Sequence, residues 1–434
     1  MTGAESPVTV SGRHLGLQFP PTIERLRELG PQFLTQAFRA TGRLSSNNAV
    51  AEIVRGEEFF GGGAGRKLRL ELRYERDEPG LDTALFAKFP RDFGDPLRAL
   101  FSPLMEPEVQ FALISRRPDF PIAVPRCYFA DYDPDTSTGL LITQTIAYGR
   151  QGIRPHQDKC LDDELADPMA YYSALVRAVA RLSGFHKSGR FGAEADKQFP
   201  YDPEYIRPTD RIPYTRETLR DKLGYLGRFA QRYPWVFPVE FTSGAFLAEL
   251  IEGAQGILDA ETDIKHFLNG RHDFVALSHW NANIDNAWFW ESADGQLEAG
   301  LLDWGSVGRM NIAQAFYGIM CACSIDFWNA RKSELLRLFA DEYQRNGGPR
   351  IDIDELDFHV RLYVAMLGLA WMIDAPAIIE SQLPELHDIH SHEDPRFKGH
   401  FLVRTQRQLL AVFLNAWNVE RLGELSLEFE RRRV

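Results

Sequence analysis

The chain of 434 residues has only four cysteines, Cys127, Cys160, Cys321 and Cys323. They are too few and too scattered for a disulfide framework. Only Cys321 and Cys323 are close in sequence, and alternate positions on a helix point apart, so these thiols read as core groups in a reducing compartment. Positive charge is also scarce: 49 Lys and Arg stand against 61 Asp and Glu, a formal net charge of -12. This balance argues against nucleic acid or an anionic membrane as the main partner, since both need a basic surface, and leaves small molecules and cations. No stretch reaches the roughly 18 unbroken apolar residues of a membrane span. The opening segment, MTGAESPVTVSGRHLG, lacks a charged start running into an apolar core. The expectation is a cytoplasmic protein with no membrane partner. A Walker loop is missing too, because no Gly-Lys-Ser/Thr closes the glycine-rich run at Gly61, Gly62, Gly63 and Gly65.

What is present is an ordinary globular composition, long enough for two domains or one two-lobed one. The segment 21–40 carries a helical apolar stripe interrupted at Gly30-Pro31, and reads as a leading helical extension over residues 1–44. Residues 47–90 read as three strands. The second alternates Leu68, Leu70, Leu72 and Tyr74 with Arg69, Glu71 and Arg73, the period of a half-buried strand. The glycine run before it forms a turn whose backbone N–H groups can lie over phosphates, because no Cβ blocks the approach. Plain hairpins use such glycines as well.

Lys88 sharpens that choice. It is the single cation in Leu85-Phe86-Ala87-Lys88-Phe89, and an ammonium buried there needs an anion. The helix beginning near Met105 offers Glu106 and Glu108; Pro107 suits a helix start and puts Glu108 inside it, so Glu108 is the expected partner. A hairpin then ends at Leu140–Ile146, with Gln144, Thr145 and Ile146 as the edge that meets a nucleotide base. Beyond it the pattern turns helical, which sets a small lobe at 45–146 and a larger one at 147–434.

The stretch Phe274 to Met310 reads as strand, polar loop, strand, turn, strand, with His279, Asn281 and Asn286 in the loop and Asp303 at the last strand's end. In a kinase-type phosphotransfer site a loop residue orients the acceptor hydroxyl, an Asn five positions on holds metal, and an acidic residue after a hairpin holds metal against the phosphates. Asn281 to Asn286 is that five-residue step, but Asn281 stands where the catalytic Asp belongs.

Taken together, the glycine turn, Phe86-Ala87-Lys88, Glu108, Val124-Pro125, the helix ending at His186, His279-Trp280-Asn281, Asn286 and Leu302-Asp303-Trp304 resemble the aminoglycoside phosphotransferase and choline kinase-like superfamily, most of all its ecdysteroid-kinase-like branch. The resemblance covers about residues 45 to 345 in the family's order. It implies an α+β, bilobal protein-kinase-like fold, with a small mixed β-sheet N-lobe carrying one main helix and a large, mainly helical C-lobe. The implied activity is transfer of the ATP γ-phosphate, with Mg2+, to a hydroxyl of a small-molecule acceptor. Lys88 would hold the α- and β-phosphates, Glu108 would position it, and Asn286 and Asp303 would hold metal. The family's His-Gly-Asp is here His279-Trp280-Asn281, and its Asp-Leu-Ala is Asn311-Ile312-Ala313.

An amide cannot take a proton from an alcohol near neutral pH. Asp285, in the same loop, is a candidate substitute base; its plain alternative is a solvated or metal-shell carboxylate. Two readings stay open: a small-molecule kinase slowed at Asn281, or a weak or inactive nucleotide-binding protein with a binding or regulatory role. The run 387–394 holds three histidines and three carboxylates, a composition that suits metal, but its flanking Pro384 and Pro395 mark an exposed loop. The C-terminal helices carry Phe316, Tyr317, Phe327, Trp328, Leu367, Trp371, Met372, Phe401, Phe413 and Trp417. Most read as core, and their abundance favours an apolar hydroxylated acceptor. Oligomeric state is not legible.

Overall fold

The computed structural model describes residues 7–59, 65–206 and 210–433. The chain divides into two compact units. The first runs to Arg154 and takes in Ala193–Phe199 and Gly300–Gly308; the second holds the remainder.

The first unit is built on a five-stranded antiparallel sheet of β1 (Val50–Phe59), β2 (Gly65–Tyr74), β3 (Ala84–Pro90), β4 (Cys127–Asp133) and β5 (Thr138–Gln144), in the order β1-β2-β3-β5-β4. Helix α1 (Ile23–Ala40) starts at Thr22, whose hydroxyl accepts from Arg25 N at 3.3 Å, and kinks at Gly30, where φ is 55°. This is the interruption expected at Gly30-Pro31. Its Leu26, Phe33, Leu34 and Phe38 join Leu68, Leu70, Leu72, Leu85, Ala87, Phe89, Leu140 and Ile142 in one core. Helix α2 (Met105–Ile114) packs Val109 and Ala112 with Cys127, Ala130, Tyr132 and Leu141 in another. Leu141 lies between Leu140 and Ile142, and strand side chains alternate between faces, so α1 and α2 cover opposite faces of the sheet. The same alternation sends Lys88, between Ala87 and Phe89, towards the α2 face.

The second unit is mainly helical. Helix α3 (Pro168–Lys187) is capped by the Asp167 carboxylate, which accepts from Ala170 N at 3.2 Å. Its face from Tyr172 to Phe185 is largely buried. After α4 (Gly244–Gly270) come the short strands β6 (Val275–Ser278), β7 (Ala287–Glu291), β8 (Leu297–Leu301) and β9 (Gly308–Asn311), with β6 beside β9 and β7 beside β8. Helices α5 (Ile312–Met320) and α6 (Ile325–Arg345) follow. The run Ile353–Gln382 is long and apolar enough to cross a membrane, and 78% of its apolar 18-residue window is buried within the fold. Cys323 is buried and Cys321 nearly so, neither in a disulfide.

Just before α3, the buried Asp162 carboxylate accepts from Ser324 N at 2.8 Å and from the Tyr172 hydroxyl at 3.1 Å. Burial outweighs those bonds and pushes its pKa up to about 6. A carboxyl raised on folding adds stability that is complete below its unfolded value, about pH 4, and is lost as pH rises through about 6. In urea denaturation the wild type should lose about 2–3 kcal/mol across that window relative to Asp162→Asn. Parallel pH profiles for the two proteins would contradict this account.

Candidate functional site

Lys88 reaches the α2 face as the sheet alternation requires, and meets Glu108 with Nζ 2.9 Å from Oε1 and 2.8 Å from Oε2. A second carboxylate completes the arrangement, with Asp303 Oδ1 at 3.0 Å from the same nitrogen. The lysine and Glu108 side chains are 4% and 6% exposed, whereas Asp303 is 48% exposed. Burial is the largest influence on the ammonium and lowers its pKa, but Glu108 and Asp303 together raise it above the ordinary value. It therefore stays charged and is directed at the one carboxylate open to solvent. Glu106, the alternative partner, pairs instead with Arg13 at 2.6 Å on the surface.

Asp303 is held in the left-handed region, φ 55°, a conformation that costs a non-glycine residue about 1 kcal/mol or more and that clusters at functional sites. What fixes it is Trp304, whose ring stacks on Phe111 at 3.7 Å and whose Nε1 donates to Leu301 O at 3.1 Å. Phe111 lies three residues beyond Glu108 on α2, and residues at that spacing share a helix face. One face of α2 thus positions the lysine and, through Trp304, the segment bearing Asp303.

One feature of this unit escapes a reading of the sequence. Lys67 is the cross-strand partner of Lys88 in the β2–β3 register. Burial lowers its pKa, attraction to Asp303 opposes this, and repulsion from Lys88 adds to it. Counting the hairpin register would have found it. Gly65, at the start of β2, has no room for a side chain, because a Cβ there would lie 2.1 Å from Phe89 O. Gly61, Gly62 and Gly63 lie outside the described residues. At the end of β5, Gln144 N donates to Arg126 O at 2.9 Å and Thr145 N to Ala84 O at 3.1 Å. Among the described residues, the Ile146 N–H makes no hydrogen bond.

In the second unit the polar loop between β6 and β7 is braced by its own asparagines. Asn281 N donates to His279 Nδ1 at 3.1 Å, Asn286 Nδ2 donates to Asn281 O at 3.0 Å, and Asn283 Nδ2 donates to Asn281 Oδ1. The loop also lies hard against α5: a Cβ on Gly318 would meet Trp280 O at 1.7 Å. The Trp280 ring meets Trp371 edge-on at 5.3 Å. Asp285 sits 3.3 Å from Lys159 Nζ, and among the described residues its buried Oδ1 has no hydrogen-bond partner. Asn311 caps α5 by accepting from Ala313 N at 3.0 Å and donates to Leu268 O at 2.9 Å. That position is structural in this chain.

Asn286 and Asp303 each offer a side-chain oxygen of the kind a hard cation takes. The His-rich run 387–394 has a different role: its Asp394 caps the following helical turn, and His387 and His390 are exposed. Among the described residues no group of three His, Cys, Asp or Glu is placed to hold a metal. Most of the C-terminal aromatics, Phe316, Tyr317, Trp328, Phe413 and Trp417 among them, are core, while Phe401 is exposed.

No family model and no curated protein matches the sequence. Similar solved structures are small-molecule kinases. Choline kinase from Cryptosporidium parvum Iowa II is 10% identical over 92% of this chain and 98% of its own, with a TM-score of 0.46. A microcompartment-associated aminopropanol kinase is 13% identical over 90% of this chain and 98% of its own, TM-score 0.41. Plasmodium vivax ethanolamine kinase is 10% identical over 82% of each chain, TM-score 0.40.

Removing one partner of a buried ion pair is far more costly than removing one from the surface. Glu108→Gln should therefore destabilise the folded protein by about 3 kcal/mol. Glu106→Gln should change it by less than about 1 kcal/mol. Equal effects in equilibrium denaturation would show that the lysine is not held as described.

Proposed function

We propose that the chain is a small-molecule kinase that transfers the γ-phosphate of ATP to a hydroxyl of its acceptor. The observation that carries this reading is the buried Lys88 ammonium, kept charged by Glu108 and directed at the solvent-open Asp303. A buried lysine held in this way by a helix carboxylate is the device that kinase-type folds use to grip nucleotide phosphates.

The residues present suit such a cofactor. Lys88 and Lys67 supply donors for phosphate oxygens, and the uncommitted Ile146 N–H is a donor for the base. Asp303 in the first unit and Asn286 in the second are each proposed as a magnesium ligand. Bound MgATP would supply the phosphoryl group and neutralise charge on the phosphates.

On the acceptor side, Asn281 orients the hydroxyl without removing its proton. Loss of a general base costs about 10²–10⁴ in rate, and phosphoryl transfer depends chiefly on positioning and electrostatics. Asp285, with an unpartnered buried oxygen, is the nearest substitute for the base. The partly exposed Trp280–Trp371 pair supports an apolar hydroxylated acceptor. A second reading, a nucleotide-binding protein with little or no turnover, is favoured by one contact: Asn283 Nδ2 already donates to the Asn281 side-chain Oδ1.

Phosphate transfer from labelled ATP to a panel of sterol-like alcohols, aminoglycosides and choline tests both readings. Asn281→Asp should raise turnover by about 10²-fold or more, with the sterol-like alcohols preferred. Nucleotide binding with no transfer by either protein would sink the kinase reading in favour of the second. Preference for aminoglycosides or choline would overturn the apolar acceptor alone.

A further inference from the structure

At the end of α2 away from Glu108 lies a concavity of about 350 Å³ whose lining includes Arg43, Arg116, Arg117, Arg126 and Gln144. An adjoining hollow of about 240 Å³ shares Arg43 and Arg116. Four arginines around one hollow are unexpected in a chain of net charge -12, and two of them are accounted for. Arg117 pairs with Asp119 at 3.0 Å, and Arg126 donates to Gly80 O at 2.6 Å with Asp82 at 3.5 Å. The other two are not. Arg43 Nε donates to Cys127 O at 2.8 Å and Arg116 Nη2 donates to Thr41 O. Among the described residues neither has a carboxylate within ion-pair distance.

These carbonyls fix the two guanidinium groups without neutralising them. Burial lowers the pKa of Arg43, and repulsion from Arg116 and Arg126 adds to this, with only the neutral Cys127 and Tyr128 opposing. Like charges held together and half-buried are unfavourable until an anion enters between them. The remaining N–H groups form the planar, multiply donating surface that matches phosphate oxygens.

We propose that Arg43, Arg116 and Arg126 form a binding site for a small phosphate-bearing molecule, distinct from the Lys88 site. Glu108 lies on α2, and Arg116 follows two residues after its last residue, Ile114. The lining includes Ser115 and Arg116, just past the end of α2, and Ala123, whose carbonyl accepts from Leu301 N at 3.1 Å, just ahead of Asp303. A bound phosphate therefore braces both elements that hold Lys88. The site stands or falls independently of the phosphotransfer reading.

Thermal-shift titrations with inorganic phosphate and with glycerol 3-phosphate test it, against chloride at equal ionic strength. They are run in a Lys88→Met background so that binding at that lysine does not contribute. Both probes, or glycerol 3-phosphate alone, should raise the apparent stability of this parent. The affinity should fall at least about ten-fold in the parent carrying Arg43→Gln and Arg116→Gln, and to a smaller extent with Arg126→Gln alone. Without anion, the double substitution should leave stability unchanged or raised, since it removes mutual repulsion. Destabilisation with no response to either phosphate would show that the arginines only tie α1 to its neighbours, and would overturn the proposal. A response to polyglutamate but not to the phosphates would assign the patch to an acidic protein partner and overturn it too.

Discussion

A charged ammonium in an apolar sheet is the constraint from which the rest of the first unit follows. Lys88 faces α2 because strand side chains alternate, and it is buried from bulk solvent there, so carboxylates must come to it. Glu108 comes from α2 and Asp303 from the segment after β8. Ion pairs of this kind seldom add net stability compared with an apolar replacement. Their retention, together with a left-handed Asp303, marks a place where the chain accepts strain to hold charge in a fixed position.

The second unit places its chemistry by a different device. The loop from His279 to Asn286 has few carboxylates, and its shape comes from amides bonding to one another and from backbone pressed against Gly318. Such a loop can orient a hydroxyl but has little basicity at Asn281.

Much of this was legible in the chain because the signals were local. A lone cation inside an apolar strand, a helix start offering two glutamates, and an Asn spaced five residues from another are all readable within a short window. The kink at Gly30 and the alternation of β2 were readable for the same reason. What escaped depends on chain segments far apart in sequence. Lys67 becomes relevant only through hairpin register, Phe111 through its stack on Trp304, and the Arg43–Arg116 pair through the turn after α1 meeting the turn after α2. Composition also misleads where it is averaged. The acidic total conceals a basic hollow.

The central claim is that Lys88 grips nucleotide phosphates, and a thermal-shift titration with ATP and magnesium, separately and together, tests it most directly. Ligand that binds only the folded state must raise its apparent stability by mass action. The account predicts a magnesium-dependent rise in the wild type that disappears in Lys88→Met, each protein measured against its own ligand-free state. An equal rise in both, or none in the wild type at saturating nucleotide, would contradict it.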